Sequence, residues 1–326
     1  MFWGNQGRVP DTRCDHIRLA PFFYFTVFLN EFRMPEEKLS TTTLLSILNS
    51  IAPFAMAEPW DNVGLMVGNP DQQVTGILIA LDPTEALLHE ALSQNLNTIL
   101  THHPLIFHPL KNIPGNTPIG RLLKTALSHD LALIACHTNL DLAPFGVSNA
   151  LAEKLGLRDT RPLNGPETAG SGQTTGFGKI GHLPAPLPAG QFLNLLLTAL
   201  AASGLQLAGA LPEIIHTVAL CGGSGSDLAE TAWNMGAQVY ITGEVKHSVA
   251  RWAEAAGFCV IDAGHYPTEN LIVPTLAEIL KKSCAARGFT PIITIAKQDN
   301  PLQWLVLDDN NPAPINGIRG RYKIEM

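Results

Sequence analysis

The stretch THHPLIFHP, Thr101 to Pro109, ends an apolar run with two adjacent histidines and a proline. Neutral imidazole is a strong ligand for divalent ions, so His102 and His103 pose the question of what would complete a metal site. Other metal-competent side chains follow similar apolar runs: Asp82, His137 and Asp141, then Asp262, His265 and Glu269. Imidazole nitrogen and carboxylate oxygen without thiolate suit Zn²⁺, Fe²⁺ or Mn²⁺ and do not choose among them. Two such ions a few ångströms apart acidify bound water at neutral pH and polarise an electrophile. A carboxylate such as Glu269 or Asp141 can bridge two cations, which imidazole ordinarily does not.

Each residue has a plainer reading. A lone histidine at a strand end is more often a hydrogen-bonded surface or core residue, and His89, His108 and His129 are read that way. The joint pattern across several strand ends sets His102, His103 and their partners apart. CGGSGSDL (221–228) is a strand–glycine–helix turn whose amides could cradle a phosphate. It lacks the lysine and spacing of a Walker loop and the dinucleotide fingerprint. Its simplest reading is a tight turn with Ser226 or Asp227 as N-cap. TGEVKHS (242–248) offers Glu244, Lys246 and His247, or simply a solvated helix entry. Trp60, Asp61 and Asn62 would line a rim, unless Trp60 only anchors its loop.

The elements that must place these residues alternate. Helical spacing runs from Thr41 to near Pro53, and AEPWDNVGLMVGNP reads as turn-rich. Short apolar strands then alternate with helices: strand 75–82, helix 83–95, strand 97–103, helix 116–130, strand 131–141 running into a loop, helix 146–156. After a Gly/Pro-rich stretch at 160–190, read as linker or crossover, a second alternation follows and ends with the strand PIITIAK. This is the pattern of βαβ units, predicting an α/β fold with largely parallel sheets and a three-layer αβα character. Continuously apolar strands fit burial on both faces. In open α/β sheets ligands bind at the carboxyl ends of strands, where the polar residues above accumulate. Pro104 marks a strand ending there, which is what lets two adjacent histidines share one site. Glu269, four residues after His265, folds back toward it if Pro267 opens a helix.

The 326 residues are 46% hydrophobic, enough for one large domain or two moderate ones. A net charge of −7 with no dense Lys/Arg stretch argues against direct nucleic-acid binding. Five scattered cysteines without a C-x-x-C pair argue against a disulfide framework or thiolate zinc knuckle and fit a reducing cytoplasm. No segment is long enough to span a bilayer. The run APFFYFTVFL (20–29) imitates a signal-peptide core, but no cleavage pattern follows. The regular pattern begins after Met34, so residues 1–33 read as an extension, with Met34 the alternative start. Residues 308–326 read as a polar tail, partly unordered.

EPWDNVGLMVGNP, THHPLIFHPLKNI, CHTNLD with GVSNALAEKLGL, CGGSGSDL, TGEVKHS and IDAGHYPTE, in this order, resemble the Nif-three-like dinuclear-metal family. Many of its members carry the label GTP cyclohydrolase type 2 homologue. The resemblance covers about residues 36–304. It implies two interleaved lobes, 34–163 plus 262–307 as the metal-binding lobe and 164–261 as the middle lobe, assembled as a toroidal homohexamer. The family's ligand pattern falls on His102, His103, Asp141, His265 and Glu269, implying two divalent metal ions per chain. The activity implied is hydrolysis of GTP to formate and dihydroneopterin triphosphate. Activated water would attack the imidazole-ring carbon of guanine, with Glu244 or His137 as acid/base and Lys111, Lys246 and the GGSGS turn toward the triphosphate. Alternatives are a non-catalytic metal-handling scaffold or regulator, or a phosphoesterase on another substrate.

Overall fold

The computed structural model describes residues 38–165 and 176–303, with the backbone of 305–306 and 323–324. The expected extension at 1–33 and most of the polar tail lie outside the described residues.

Along the chain, the first half runs α1 (Thr41–Ile51), β1 (Gly64–Val67), β2 (Ile77–Ala80), α2 (Glu85–Ser93), β3 (Thr98–Thr101), α3 (Pro118–Ser128), β4 (Ala132–Ala135), α4 (Thr138–Asp141) and α5 (Val147–Lys154). The second half runs β5 (Arg158–Asn164), β6 (Phe177–Pro188), α6 (Ala189–Leu200), β7 (Gln206–Ala208), β8 (Ile214–Cys221), α7 (Ala229–Asn234), β9 (Val239–Thr242), α8 (His247–Ala256), β10 (Cys259–Asp262), α9 (His265–Glu269), α10 (Ile272–Ala285) and β11 (Ile293–Ile295). A final pair, β12 (Leu305–Val306) and β13 (Lys323–Ile324), is antiparallel.

The helix starts follow from local chemistry. Ser40, Thr84 and Thr117 each accept an amide of the first turn of α1, α2 and α3, and Pro118 opens α3 where its missing N–H costs nothing. Residues of the two sheets then alternate between two buried faces. Ile77 and Ile79 join Leu44, Ile47, Leu276 and Leu280 beneath α1 and α10. Leu78 and Ala80 join Leu87, Leu88, Leu122 and Leu123 beneath α2 and α3.

The first sheet has the order β1-β4-β3-β2-β11, parallel except for β1. The carboxyl ends of β2, β3 and β4 therefore lie side by side. The second sheet has the order β5-β6-β8-β9-β10-β7, with β8, β9 and β10 parallel. Helices α5 and α6 pack on one face through Leu151, Phe192 and Leu196, and α7 and α8 on the other through Ala232 and Ala253. The fold is α/β with helices on both faces of each sheet, as the alternation predicts.

Three local expectations change. The Gly/Pro-rich stretch read as a linker contributes β5 and β6, which pair antiparallel, so the second sheet is mixed. Pro184 and Pro186 fall where the β6 ladder is irregular, between His182 and Leu187, and Pro188 is the last residue of the strand, which is how a strand tolerates them. The segment read as turn-rich contains β1, an edge strand of four residues. The loop after β4 is the single turn α4.

Leu280 is fully buried between α10, α1 and the first sheet. Leu280→Ala is expected to cost about 2–5 kcal/mol. Urea unfolding should show a lower midpoint with an unchanged slope, and an unchanged midpoint refutes the packing described.

Candidate metal centre

The strand ends are shaped to turn both histidines inward. The ladder between β3 and β2 runs past the end of β3: the His102 amide donates to the Ala80 carbonyl (3.3 Å) and the His103 amide to Leu81 (2.9 Å). The Thr101 hydroxyl then donates to the His103 carbonyl (2.7 Å), and Pro104 ends the segment. The chain bends at the point where strict alternation would send the two rings to opposite faces. From β4, the chain passes through His137 into α4, whose last residue is Asp141. Buried Asn139 ties that turn down by donating to the Ala52 carbonyl (2.8 Å).

The other half comes from the second sheet. Gly264, at φ +84, turns the chain from β10 into α9 and donates to Asp262 Oδ1 (3.0 Å). His265 and Glu269 begin and end α9, one helical turn apart. The Thr268 hydroxyl accepts the Gly223 amide (3.1 Å), fastening the glycine turn after β8 to α9.

Every imidazole is held by its Nδ1. That of His102 donates to the Cys136 carbonyl (2.9 Å), of His103 to Asp82 (2.7 Å), of His137 to Asp61 (2.8 Å) and of His265 to Glu244 (2.8 Å). Because carbonyls and ionised carboxylates only accept, each ring carries a proton on Nδ1 and leaves Nε2 as the nitrogen free to face the site. The His103 and His265 Nε2 atoms are 3.3 Å apart, and each is 2.9 Å from Glu269 Oε2. His102 Nε2 is 3.7 Å from Asp141 Oδ1 and 3.9 Å from Glu269 Oε1, too far for hydrogen bonds. Two donor-set atoms, His102 Nε2 and Glu269 Oε2, are buried with no aligned hydrogen-bond partner. Buried polar atoms are rarely left so.

Electrostatics follow from this crowding. Burial works against charge on His103, but Asp82 and Glu269 outweigh it and raise its pKa to about 10. For His265 burial is again outweighed, by Glu269 and then Glu244, and the value is raised to about 9. His102 is also raised: burial opposes, but Asp141 and Glu269 prevail. Burial would raise Glu269, yet the three imidazoles hold it well below the carboxylate range. Burial raises Asp141, which His102 only partly offsets. Asp61 is lowered: burial opposes ionisation, but hydrogen bonds from His137 and Thr138 overcome it.

The glycine turn leaves room for the cluster. A Cβ on Gly223, at φ +63, would lie 1.9 Å from Glu269 Oε1. A cavity of about 450 Å³ opens beside the cluster, walled by Trp60, Phe107, Phe177, His137, Asp141 and Glu269. Among the described residues, its lining includes no lysine or arginine.

The sequence-derived set His102, His103, Asp141, His265 and Glu269 thus converges on one point. Donor atoms of His103, His265 and Glu269 lie within 4.8 Å of one another, as do those of His102, His103 and His137. Nitrogen and oxygen donors, unpartnered buried atoms and a side-chain-free wall at Gly223 fit divalent cations. Glu244 and His137 both sit at the site, Glu244 at the outer side of His265. The supports Asp61 and Asp82 were visible as polar residues in the sequence, but nothing there tied them to particular imidazoles; the Cys136 carbonyl gave no signal at all. Lys111 does not line the cavity, and the Lys246 ammonium pairs with Asp227 at 2.8 Å. In the glycine turn, the Gly223 and Gly225 amides go to Thr268 and Thr242, which removes two donors from any phosphate cradle. Neither Ser226 nor Asp227 caps a helix by its side chain: the Ser226 hydroxyl donates to the Glu244 carbonyl (3.0 Å) and accepts the Lys246 amide (2.7 Å).

A family model described as Duf34/NIF3 (NGG1p interacting factor 3) matches residues 39–301. A Clostridium perfringens protein named GTP cyclohydrolase 1 type 2 homolog is 32% identical over 244 residues, 73% of this chain and 90% of its own. A Streptomyces coelicolor protein of the same name is 34% identical over 229 residues, 69% of this chain and 80% of its own. The crystal structure of a Staphylococcus aureus hypothetical protein superimposes with a TM-score of 0.77 at 28% identity, covering 82% of this chain and all of that one.

Gly223→Ala is expected to fold yet to lose most bound metal, because its methyl group enters the space of the Glu269 carboxylate. Elemental analysis alongside circular dichroism checks this; wild-type metal content in the variant refutes the cradle.

Proposed function

The chain belongs to the Duf34/NIF3 family, and from that premise we propose a dinuclear metal-dependent hydrolase acting on a small heteroaromatic molecule, GTP first among them. The observation that carries the reading is the convergence of three Nε2 atoms and Glu269 on one unpartnered point beside a cavity. His102, His103, Asp141, His265 and Glu269 would hold the two ions between them. When bound, such a pair supplies Lewis acidity, polarising an electrophile and acidifying water.

The chain's own residues supply the rest. Asp82, Glu244 and the Cys136 carbonyl fix the three ligand rings, which keeps the donor atoms in place before any ion arrives. Glu244 is spent on orienting His265, which leaves His137 as the imidazole facing the cavity for proton handling. Trp60 and Phe107 pack edge to face at 5.8 Å and give the cavity an aromatic wall suited to a flat ring. Phe177, from the second sheet, also lines the cavity. On the implied activity, the products are formate and dihydroneopterin triphosphate. With no lysine or arginine in the described lining, recognition falls on the ring rather than on the phosphates. The same reading assigns two ions per chain and a homohexameric ring. No described helix is long and apolar enough to cross a membrane.

Protein loaded with zinc, manganese or iron is expected to release formate from GTP with a fluorescent pterin-like product, and His103→Ala to abolish both turnover and about half or more of the bound metal. Elemental analysis with a formate assay checks this. Two bound ions without turnover on GTP or other nucleotides favour the metal-handling reading instead.

A further inference from the structure

Four imidazoles surround the site, but they do not share the same environment. Glu269 lies within 3.9 Å of His102, His103 and His265, and Asp141 within 3.7 Å of His102. Among the described residues, His137 is at ion-pair distance from Asp61 alone, and it acts on Asp141 at longer range. Its ring sits 5.1 Å from that of His102 and 5.6 Å from that of His103, so it belongs to the cluster in space. Its remaining ring neighbours are Trp60 at 6.3 Å and Phe107 at 6.0 Å, both edge-on, and all three line the cavity. His137 therefore stands at the boundary between the charged cluster and the aromatic wall.

Asp61 beneath it is built in. Its side chain is wholly buried and accepts four hydrogen bonds: His137 Nδ1–H (2.8 Å) and the Asn62 amide (2.8 Å) on Oδ1, the Thr138 amide (3.0 Å) and the Thr138 hydroxyl (2.5 Å) on Oδ2. The Thr138 hydroxyl oxygen in turn accepts the Glu58 amide (3.0 Å). The loop bearing Trp60 and the start of α4 are thereby locked to each other. Such a carboxylate fixes both the tilt and the tautomer of the imidazole it holds.

We propose that His137 is not a metal ligand but a recognition arm: Asp61 fixes its proton on Nδ1, so that Nε2 is a hydrogen-bond acceptor on the cavity wall for an N–H or O–H of the bound molecule. The ligand chemistry this selects is a flat heteroaromatic ring carrying a donor at its edge, lying against Trp60 and Phe107. The recognition part rests on the hydrolase reading of the cavity; the non-ligand and tautomer parts do not. Asp61 is a positioning residue that acts through His137. An asparagine at 61 that keeps its oxygen for Thr138 presents N–H to the imidazole, which reverses the tautomer and takes the acceptor from the Asn62 amide.

Three measurements on the full chain test this. In cobalt(II)-loaded protein, His137→Ala and Asp61→Asn keep the wild-type metal content and visible spectrum, whereas His103→Ala changes both. Loss of cobalt or an altered spectrum in His137→Ala makes His137 a ligand and overturns the proposal. In zinc-loaded protein with ¹⁵N-histidine, the His137 proton sits on Nδ1 in wild type and in Thr138→Val, and on Nε2 in Asp61→Asn. A wild-type proton on Nε2, or no change in Asp61→Asn, overturns it. Calorimetric titration of the zinc-loaded protein with GTP weakens about tenfold in His137→Ala and Asp61→Asn, the loss of one hydrogen bond, and recovers in part in His137→Gln. Equal affinity in wild type and His137→Ala overturns the recognition role. Wild-type protein that does not bind GTP sinks the nucleotide reading alone, and the first two measurements still decide the assignment of His137.

Discussion

The structure depends on forcing three imidazole nitrogens and a carboxylate toward one point where they do not satisfy one another. In water each group would find its own partners, so their convergence needs a scaffold that outweighs the tendency to spread apart. The scaffold works from behind. Each ring is pinned through the nitrogen that faces away from the site, by Cys136, Asp82 or Glu244. With Nδ1 occupied the rings cannot turn to relieve the crowding, and the uncompensated atoms His102 Nε2 and Glu269 Oε2 persist at the centre. Buried polar atoms left without partners cost about 1–3 kcal/mol each. A cation removes that cost, so binding and local stability are linked: whatever fills the centre also stabilises the fold around it.

The same constraint explains why two sheets are needed. Parallel strands place β2, β3 and β4 ends in register, which brings Asp82, His102, His103 and the His137–Asp141 turn to one edge. A single edge supplies donors from one side only. The glycine turn after β8 and helix α9 supply the facing side, with His265 and Glu269 one turn apart. Close approach of the two sides demands bare backbone, and Gly222, Gly223 and Gly243 all sit where a Cβ would strike Val147, Glu269 or His265. The glycines of CGGSG therefore serve contact between two parts of the chain, which is a different use from holding a phosphate.

Much of this was legible in the residues. Apolar runs of four to six residues alternating with helical spacing gave the parallel strands of both sheets and the helices between them, because strands buried on both faces leave no other pattern. The His102–His103 pair and the spacing of His265 and Glu269 pointed to the site, since Pro104 marks where β3 stops and Pro267 belongs to the first turn of a helix. What stayed hidden was hidden for physical reasons. β6 is stabilised by pairing with β8, a long-range ladder that its glycines and prolines do not advertise. β1 is an edge strand whose partner lies far along the chain, Gly64 pairing with Ala135. Asp61 and Asp82 were in plain view, but a carboxylate acquires its role from the imidazole it meets in space. The Cys136 carbonyl, being backbone, carries no residue-type signal at all.

The supports also divide labour in a way that residue types alone do not reveal. His102 leans on a neutral carbonyl and is 1% exposed, while His103 and His265 lean on carboxylates and are 20% and 30% exposed. An anionic support raises the basicity of the imidazole it holds, which strengthens its bond to a cation. It does so at low cost where solvent still reaches the support, as it does at Asp82 and Glu244. A carboxylate behind the fully buried His102 would add a second desolvated anion next to Asp141 and Glu269, and repulsion there would exceed the gain. The neutral carbonyl behind His102 is what the burial of that corner permits. Asp61 is the exception, a fully buried carboxylate, and it is tolerated because four donors satisfy it. Burying a charge at that expense is consistent with a support whose task is to fix one imidazole toward the cavity rather than to strengthen a bond to an ion.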